Sequence, residues 1–245
     1  MTDVDENELS RRLQEVIARG AGERLADREF DALARAVFAY QFARNPLYRR
    51  YCEGRGMRPE NLRSWLDIPA VPTDAFKAAP LLCGDPADAQ VVFRTSGTTL
   101  GAARRGEHYM LRTDLYEAAL RAGFRAALLP DRPRIRIVSL VPAFEEVPDS
   151  SLSFMIREVV DEFGEPGGGF FMRRDGLLVD ELLRYLEQAV SEEAPVLVVG
   201  TSFAFVHLID SLDARRVRLE LPRGSRIMDT GGYKGRSREV SPSDL

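Results

Sequence analysis

Apolar residues recur along this chain at two spacings, one typical of helices and one typical of strands. An apolar residue at every third or fourth position, as at Leu9, Leu13 and Val16, lines one face of a helix. This spacing predicts helices over residues 9–18, 27–44, 114–129, 152–163, 178–189 and 203–212. We expect Asp27 to be the N-cap of the second helix, and Asn45 and Pro46 to end it.

Short apolar runs alternate with these helices in the second part of the chain. They predict strands over residues 91–94, 135–141, 195–200 and 227–229, and one more after the glycine-rich turn at 167–172. Because strands and helices alternate with short connections, we predict an α/β fold whose mostly parallel sheet carries helices on both faces. A helical N-terminal segment, residues 1–60, is expected to pack on an α/β nucleotide-binding domain, residues 61–245.

Composition narrows the class of protein. At 245 residues, 44% of them hydrophobic, the chain can bury one large core or two smaller ones. A net charge of −4 with no basic stripe argues against a nucleic-acid partner, and no apolar run is long enough for a membrane span. Cys52 and Cys83 have no metal spacing, which favours a reduced, cytoplasmic protein. We expect His207 to lie in the core, because its neighbours are apolar.

A loop rich in hydroxyl groups follows the strand at 91–94. It contains four Ser or Thr residues and two glycines, namely Thr95, Ser96, Thr98, Thr99, Gly97 and Gly101. Glycine allows a close approach of the backbone, and successive N–H groups of such a turn form an anion site. Arg104 and Arg105 follow and can neutralise charge, so the loop is suited to a nucleotide polyphosphate. The alternative is a polar surface turn, because neither the mononucleotide nor the dinucleotide glycine pattern is present.

Two further strand ends carry similar residues. Gly200, Thr201 and Ser202 follow the strand at 195–200, and a double-glycine segment follows the strand at 227–229. If the sheet is parallel, all three loops share one edge, where ligands collect in folds of this kind. The alternative is that Gly, Ser and Thr are simply favoured in such turns.

Three segments together resemble a known family. They are the loop at 95–99, the proline-rich lead-in at 68–77 that ends in Phe76 and Lys77, and the Gly-Gly-Tyr-Lys segment within 228–234. They resemble the acyl-protein synthetases of bacterial bioluminescence (long-chain-fatty-acid–luciferin-component ligases). These are relatives of phenylacetate–CoA ligase within the adenylate-forming acyl-CoA synthetases.

The resemblance implies an enzyme that uses ATP and Mg²⁺ to activate a carboxylic acid, a fatty acid above all, as an acyl-adenylate. The acyl group then passes to a protein or CoA thiol, so an acyl-acceptor protein or an acyl reductase is an implied partner. Implied cofactor-binding residues are Thr95, Ser96, Gly97, Thr98, Thr99, Gly101, Arg104, Arg105, Gly231, Gly232 and Tyr233. Implied catalytic residues are Thr98, Thr99 and Lys234, with Thr99 also on the metal. Gly200, Thr201 and Ser202 are implied to bind the acyl substrate.

The sequence also departs from the family pattern. Leu100 stands where the family has glycine, and Arg104 or Arg105 stands where it has lysine. The family's Tyr-Gly-x-Ser/Thr-Glu motif, its ribose-binding Asp, its small C-terminal domain and a late acyl-accepting cysteine have no counterpart in these residues. We therefore expect the C-terminal part to be missing. The alternative function is a nucleotide-binding or partner-binding module without catalysis.

Overall fold

The computed structural model describes residues 5–20, 22–95 and 105–231 of the chain. Contacts between residues divide the chain into two compact units, Met1–Ala126 and Ala127–Leu245. The predicted domain boundary near residue 60 falls inside the first unit.

Three helices begin the first unit: α1 (Glu6–Ala18), α2 (Asp27–Arg44) and α3 (Pro46–Glu53). The first two were predicted, but the N-cap of α2 is Ala26, and Asp27 is its first helical residue. Asn45 ends α2 as expected, yet its side chain also accepts a hydrogen bond from the Tyr48 N–H at 3.0 Å. Asn45 is thus the N-cap of α3, a helix that the sequence analysis missed, and Pro46 occupies a position where its missing N–H costs nothing.

Helices α2 and α3 form the core of the first unit. Their buried residues pack with Leu62 in one apolar cluster: Phe38, Phe42, Tyr48 and Cys52. The proline-rich segment that follows contains only short helical turns, at Pro59–Asn61, Trp65–Asp67 and α4 (Ala75–Ala78). Residues 54–80 are therefore mostly irregular in structure.

The strand at 91–94 does not belong to the parallel sheet. It is β1 (Val91–Arg94), which pairs antiparallel with β2 (Glu107–Met110) in a two-stranded sheet of its own. The expectation that three loops share one parallel edge is therefore wrong for this strand. Strand periodicity reports a buried face, but it does not report which strand is the neighbour. Helix α5 (Asp114–Leu128) follows a short connection.

The second unit alternates strands and helices, as predicted. Its elements are β3 (Arg136–Leu140), α6 (Ser151–Phe163), β4 (Gly169–Phe170), β5 (Met172–Arg173), β6 (Gly176–Leu177), α7 (Val179–Ser191), β7 (Val196–Gly200), α8 (Ser202–Arg215) and β8 (Arg226–Asp229). Strands β4, β3, β7 and β8 form a parallel sheet in that order. The predicted α/β fold class is confirmed.

Helices flank this sheet. Val138 and Val198 of the central strands pack in one cluster with Leu182 and Leu186 of α7 and Phe205 of α8. The α6 connection runs to the opposite side of the sheet order from the α7 and α8 connections. Right-handed crossovers therefore place α6 on the other face. Ile137, Leu197 and Val199 alternate along their strands with the residues of the first cluster, so they point to that other face, and all three are fully buried.

Two further expectations concern single residues and membrane spans. His207 is exposed on α8, because the buried residues of that helix lie on another face, so the prediction of a core histidine is wrong. Among the described residues, every helix is too short or too polar to cross a bilayer.

Candidate active site

Hydrogen bonds join the two chain segments on either side of residues 96–104. Beyond the last pair of the β1–β2 ladder, the Thr95 N–H donates to the Gly106 carbonyl at 2.9 Å, and the Gly106 N–H donates to Thr95 Oγ1 at 2.9 Å. The Arg105 guanidinium donates to the carbonyls of Thr95, at 2.6 Å, and Arg94, at 3.2 Å. We call Arg94, Thr95, Arg105 and Gly106 the loop neck. These bonds hold Arg94 and Thr95 against Arg105 and Gly106.

The proline-rich lead-in packs directly against the loop neck. A Cβ atom added to Gly106 would lie 3.3 Å from Thr95 Cγ2, 3.4 Å from Lys77 Cγ and 3.6 Å from the Phe76 carbonyl carbon. The Phe76 ring also packs against the His108 ring of β2, with ring centroids 4.5 Å apart and an interplanar angle of 31°. The lead-in therefore lies beside Gly106, which is itself hydrogen-bonded to Thr95 at the start of the loop segment. A glycine at 106 is what allows this close approach.

Charged side chains form hydrogen bonds and ion pairs at the same hairpin. Glu107 accepts hydrogen bonds from the Tyr109 hydroxyl at 2.6 Å and from Arg94 Nε at 3.0 Å. These two partners lower the pKa of Glu107, because both stabilise its ionised form. Lys77 pairs with Asp74 at 2.8 Å, with its side chain 27% exposed. Glu107 is therefore a structural anion at neutral pH and a poor candidate for a general base.

A second group of predicted residues lies at one edge of the parallel sheet. Leu140, Gly200 and Asp229 stand in register at the carboxyl ends of β3, β7 and β8. From β3 the chain turns to one side of the sheet, and from β7 it turns to the other, so the sheet has its switch point between these two strands. Ligands bind at such a point in open α/β sheets.

Hydrogen bonds tie the ends of β7 and β8 together. Ser202, which is 3% exposed, donates to Asp229 Oδ2 at 2.8 Å, and Gly231 N–H donates to Asp229 Oδ1 at 2.9 Å. The Gly200 carbonyl accepts from Thr230 N–H at 3.0 Å and from its hydroxyl at 3.2 Å. We call residues 200–202 and 229–231 the β7–β8 edge.

Thr201 and Gly231 have special backbone roles at this edge. Thr201 is the N-cap of α8, and its hydroxyl accepts from the Ala204 N–H at 3.4 Å. Gly231 has φ +75°, a conformation that favours glycine. The first N–H groups of α8 and its dipole therefore face the edge where β7 ends, which suits a bound anion.

Gly200 is a glycine for reasons of packing. An added Cβ would lie 3.0 Å from Leu140 Cβ and 3.2 Å from Phe205 Cε2, so the space beside it is filled by protein. Its predicted place in an acyl channel stays a prediction.

Asp229 is a residue that the sequence analysis missed. It bonds to both halves of the β7–β8 edge, so it positions Ser202 and Gly231 relative to each other. The available signal was a carboxylate at the last position of a strand, directly before the double-glycine segment.

Six of the predicted site residues are described by the structure. Thr95 and Arg105 lie together at the loop neck in the first unit, and Gly200, Thr201, Ser202 and Gly231 lie together at the β7–β8 edge in the second. The others lie outside the described residues: Ser96, Gly97, Thr98, Thr99, Gly101, Arg104, Gly232, Tyr233 and Lys234. Within residues 5–20, 22–95 and 105–231, no cluster of three His, Cys, Asp or Glu side chains has the arrangement of a metal site.

Comparison with known proteins supports the sequence resemblance. The family model for acyl-protein synthetase, LuxE, matches residues 21–243, which include the lead-in, the loop, both strand ends and the double-glycine segment. Searches of curated proteins and of solved structures give no match for this chain. Since the family match spans most of the sequence, the chain belongs to the acyl-protein synthetase family, LuxE.

Proposed function

We propose that this protein uses ATP to activate a carboxylic acid as an acyl-adenylate and then transfers the acyl group to a thiol of a protein or of CoA. The match to the acyl-protein synthetase family carries the proposal. It is supported by the position of the lead-in, whose Phe76 backbone and Lys77 side chain lie beside Gly106 at the base of the hydroxyl-rich loop.

The chemistry explains why the enzyme needs a phosphate-binding loop. A carboxylate is a weak electrophile with a poor leaving group, and joining it to AMP supplies a good one. In-line attack on the α-phosphate needs positioning and stabilisation of negative charge. In this proposal the hydroxyls of Ser96, Thr98 and Thr99 hold the β- and γ-phosphates of ATP, which leave as pyrophosphate. Arg104 balances their negative charge.

Magnesium fits this arrangement without a cluster of carboxylates. Mg²⁺ keeps several waters and is commonly held by substrate phosphates and one or two protein oxygens. We assign the Thr99 hydroxyl as such an oxygen. When bound, the ion neutralises phosphate charge, while residues of the loop orient the phosphates.

The β7–β8 edge suits the nucleoside and the acyl group. Gly231 at φ +75° turns the chain beside the exposed Asp229 carboxylate, and Gly232 and Tyr233 follow it. We assign these residues to the base, Thr201 and Ser202 to the acyl group, and Lys234 to the charge that develops during adenylation.

Acid-dependent exchange of pyrophosphate into ATP tests the proposal. We expect exchange with Mg²⁺ and a fatty acid, and we expect Thr98→Ala to slow it by about 100-fold, as for loss of one transition-state donor. Ser191→Ala is the matched control, because that exposed hydroxyl donates to the Gln188 carbonyl at the end of α7; we expect this variant to leave exchange unchanged.

The opposite outcome has a distinct signature. If no acid supports exchange while ATP still raises the melting temperature, the protein binds nucleotide without catalysis, since a ligand of the native state must stabilise it. That result would replace the proposal by the nucleotide-binding module.

A further inference from the structure

The last residue of β8, Asp229, has a carboxylate that is held at both of its oxygens. The Ser202 hydroxyl donates to Oδ2 at 2.8 Å, and the Gly231 N–H donates to Oδ1 at 2.9 Å. Each carboxylate oxygen has two acceptor positions, so each keeps one for a further donor. Asp229 is exposed, whereas Ser202 is 3% exposed. The carboxylate is therefore fixed by a buried group and presented outwards.

The position of Asp229 relative to α8 limits what can bind beside it. Ser202 is the first residue of α8, so its hydrogen bond brings the carboxylate to the positive end of the helix dipole. The anion at this helix end is thus a side chain of the protein itself. A phosphate placed beside Asp229 would meet a like charge. The ligand group that fits there is therefore a neutral hydrogen-bond donor.

The space next to Asp229 is open on the side of Gly231. Among the described residues, nothing lies within 4 Å of a Cβ atom built on Gly231. The same construction on Gly200 meets Leu140 and Phe205, so that side of the β7–β8 edge is filled. Because Gly231 has no side chain, a flat ring can approach the backbone there. A planar base with a donor group at its rim suits this space.

We propose that the Asp229 carboxylate accepts a hydrogen bond from the exocyclic amino group of adenine and so selects ATP over nucleotides with an oxygen at that position. The assignment rests on the proposed function for the binding of ATP, and it adds the side chain that distinguishes the base. It makes Asp229 a specificity-determining residue, with Ser202 as the residue that positions it.

The physical basis of this selection is that an ionised carboxylate only accepts hydrogen bonds. The amino group of adenine donates, whereas the oxygen of hypoxanthine at the same position accepts. Inosine triphosphate would therefore place two acceptors against each other and leave both unpaired. A site built around a fixed hydrogen bond rejects such an analogue strongly. We expect the native protein to bind ATP at least about tenfold more tightly than inosine triphosphate.

Asp229→Asn tests the proposal, because the amide is close in size to the carboxylate and offers one donor and one acceptor. We measure the Kd of ATP and of inosine triphosphate by titration calorimetry, with Mg²⁺ and without acid, so that no turnover is needed. We expect the variant to bind ATP more weakly and inosine triphosphate more tightly, which lowers the preference by about tenfold. A merely structural role would weaken both nucleotides equally, and an unchanged preference would overturn the proposal.

Two further variants sharpen the test. Asp180→Asn is the matched control, since that carboxylate of α7 is 75% exposed and pairs with Arg215 of α8 at 2.5 Å; we expect it to leave the preference unchanged. Ser202→Ala keeps the Asp229 carboxylate but removes the bond that fixes it, so the preference should fall by about threefold. Thermal melting of each variant verifies that it is folded. An equal loss of preference in Asp180→Asn and Asp229→Asn would contradict the assignment.

The outcomes also separate this inference from the proposed function. Pyrophosphate exchange in the native protein, with the same nucleotide preference in Asp229→Asn, overturns the selection and leaves the ligase. A preference that falls in Asp229→Asn, while no acid supports exchange, keeps the selection and overturns the ligase. If Asp229→Asn instead changes only the preference for ATP over 2′-deoxy-ATP, the carboxylate binds the ribose and the assignment to the base is wrong. Failure of the native protein to bind either nucleotide overturns both proposals.

Discussion

The loop neck and the β7–β8 edge both present glycine and hydroxyl residues, but different forces hold them. At the neck, the strands belong to a two-stranded sheet, and only Phe93 of β1 is buried. Such a hairpin is marginal in isolation, so its shape depends on backbone hydrogen bonds and on the packing of Phe76 against His108. At the edge, all five residues of β7 are buried.

This difference shows how each of the two regions is positioned within its own unit. The packed core of the sheet sets the geometry of the β7–β8 edge, because Gly200 lies directly against Leu140 and Phe205. The loop neck is a local structure whose geometry follows from pairs of neighbouring groups. We therefore expect substitutions at the edge to cost stability and those at the neck to cost little.

The largest difference in stability should come from two Leu→Ala substitutions, one in each unit. Leu197→Ala removes a side chain that is fully buried in β7, and we expect it to lower the free energy of unfolding by about 2–5 kcal/mol. Leu82→Ala removes a half-buried side chain of the first unit, and it should cost about 1 kcal/mol because less area returns to water. Urea unfolding of both variants measures this. If both variants lose the same free energy of unfolding, the two leucines are packed equally tightly.

An intermediate contrast compares two glycines. Gly200→Ala places a Cβ 3.0 Å from Leu140 Cβ, and we expect it to destabilise by about 1–3 kcal/mol through overpacking. Gly106→Ala meets a methyl and a methylene group at 3.3 and 3.4 Å, which can shift, so its effect should stay within about 1 kcal/mol. Differential scanning calorimetry ranks the two. If Gly106→Ala destabilises the protein more than Gly200→Ala does, packing around the glycine is tighter at the loop neck than at the β7–β8 edge.

The smallest effect concerns pH. The folded protein holds the pKa of Glu107 below its ordinary value, because Tyr109 and Arg94 donate hydrogen bonds to its carboxylate. The contribution of this carboxylate to stability is therefore present above the ordinary pKa and is lost as pH falls through the lower, folded pKa. Glu107→Gln removes this contribution. The melting temperatures of the two proteins should therefore differ slightly at pH 7 and converge towards pH 3. Because the side chains of the Arg94–Glu107 ion pair are partly exposed, at 44% and 36%, the difference should shrink in high salt. A difference that is unchanged down to pH 3 would contradict the role of the carboxylate.

Sequence patterns predicted most elements but not every boundary or neighbour. The helix over 27–44 was placed correctly, because caps and periodicity agree there. Helix α3 was missed, because Asn45 and Pro46 signal both the end of one helix and the start of the next. His207 was expected in the core from its neighbours in sequence, but the rotation of α8 against the sheet decides which face is buried.

For the candidate site, the sequence by itself determined the chemistry, namely which segments carry hydroxyls, glycines and an aromatic–lysine pair, because those depend on residue type and local spacing. Only the tertiary structure decided that β1 pairs with β2 instead of joining the parallel sheet, that Phe76 and Lys77 lie on the loop neck, and that Asp229 joins Ser202 to Gly231. These contacts join residues distant along the chain, and local propensity carries no information about which distant groups will meet.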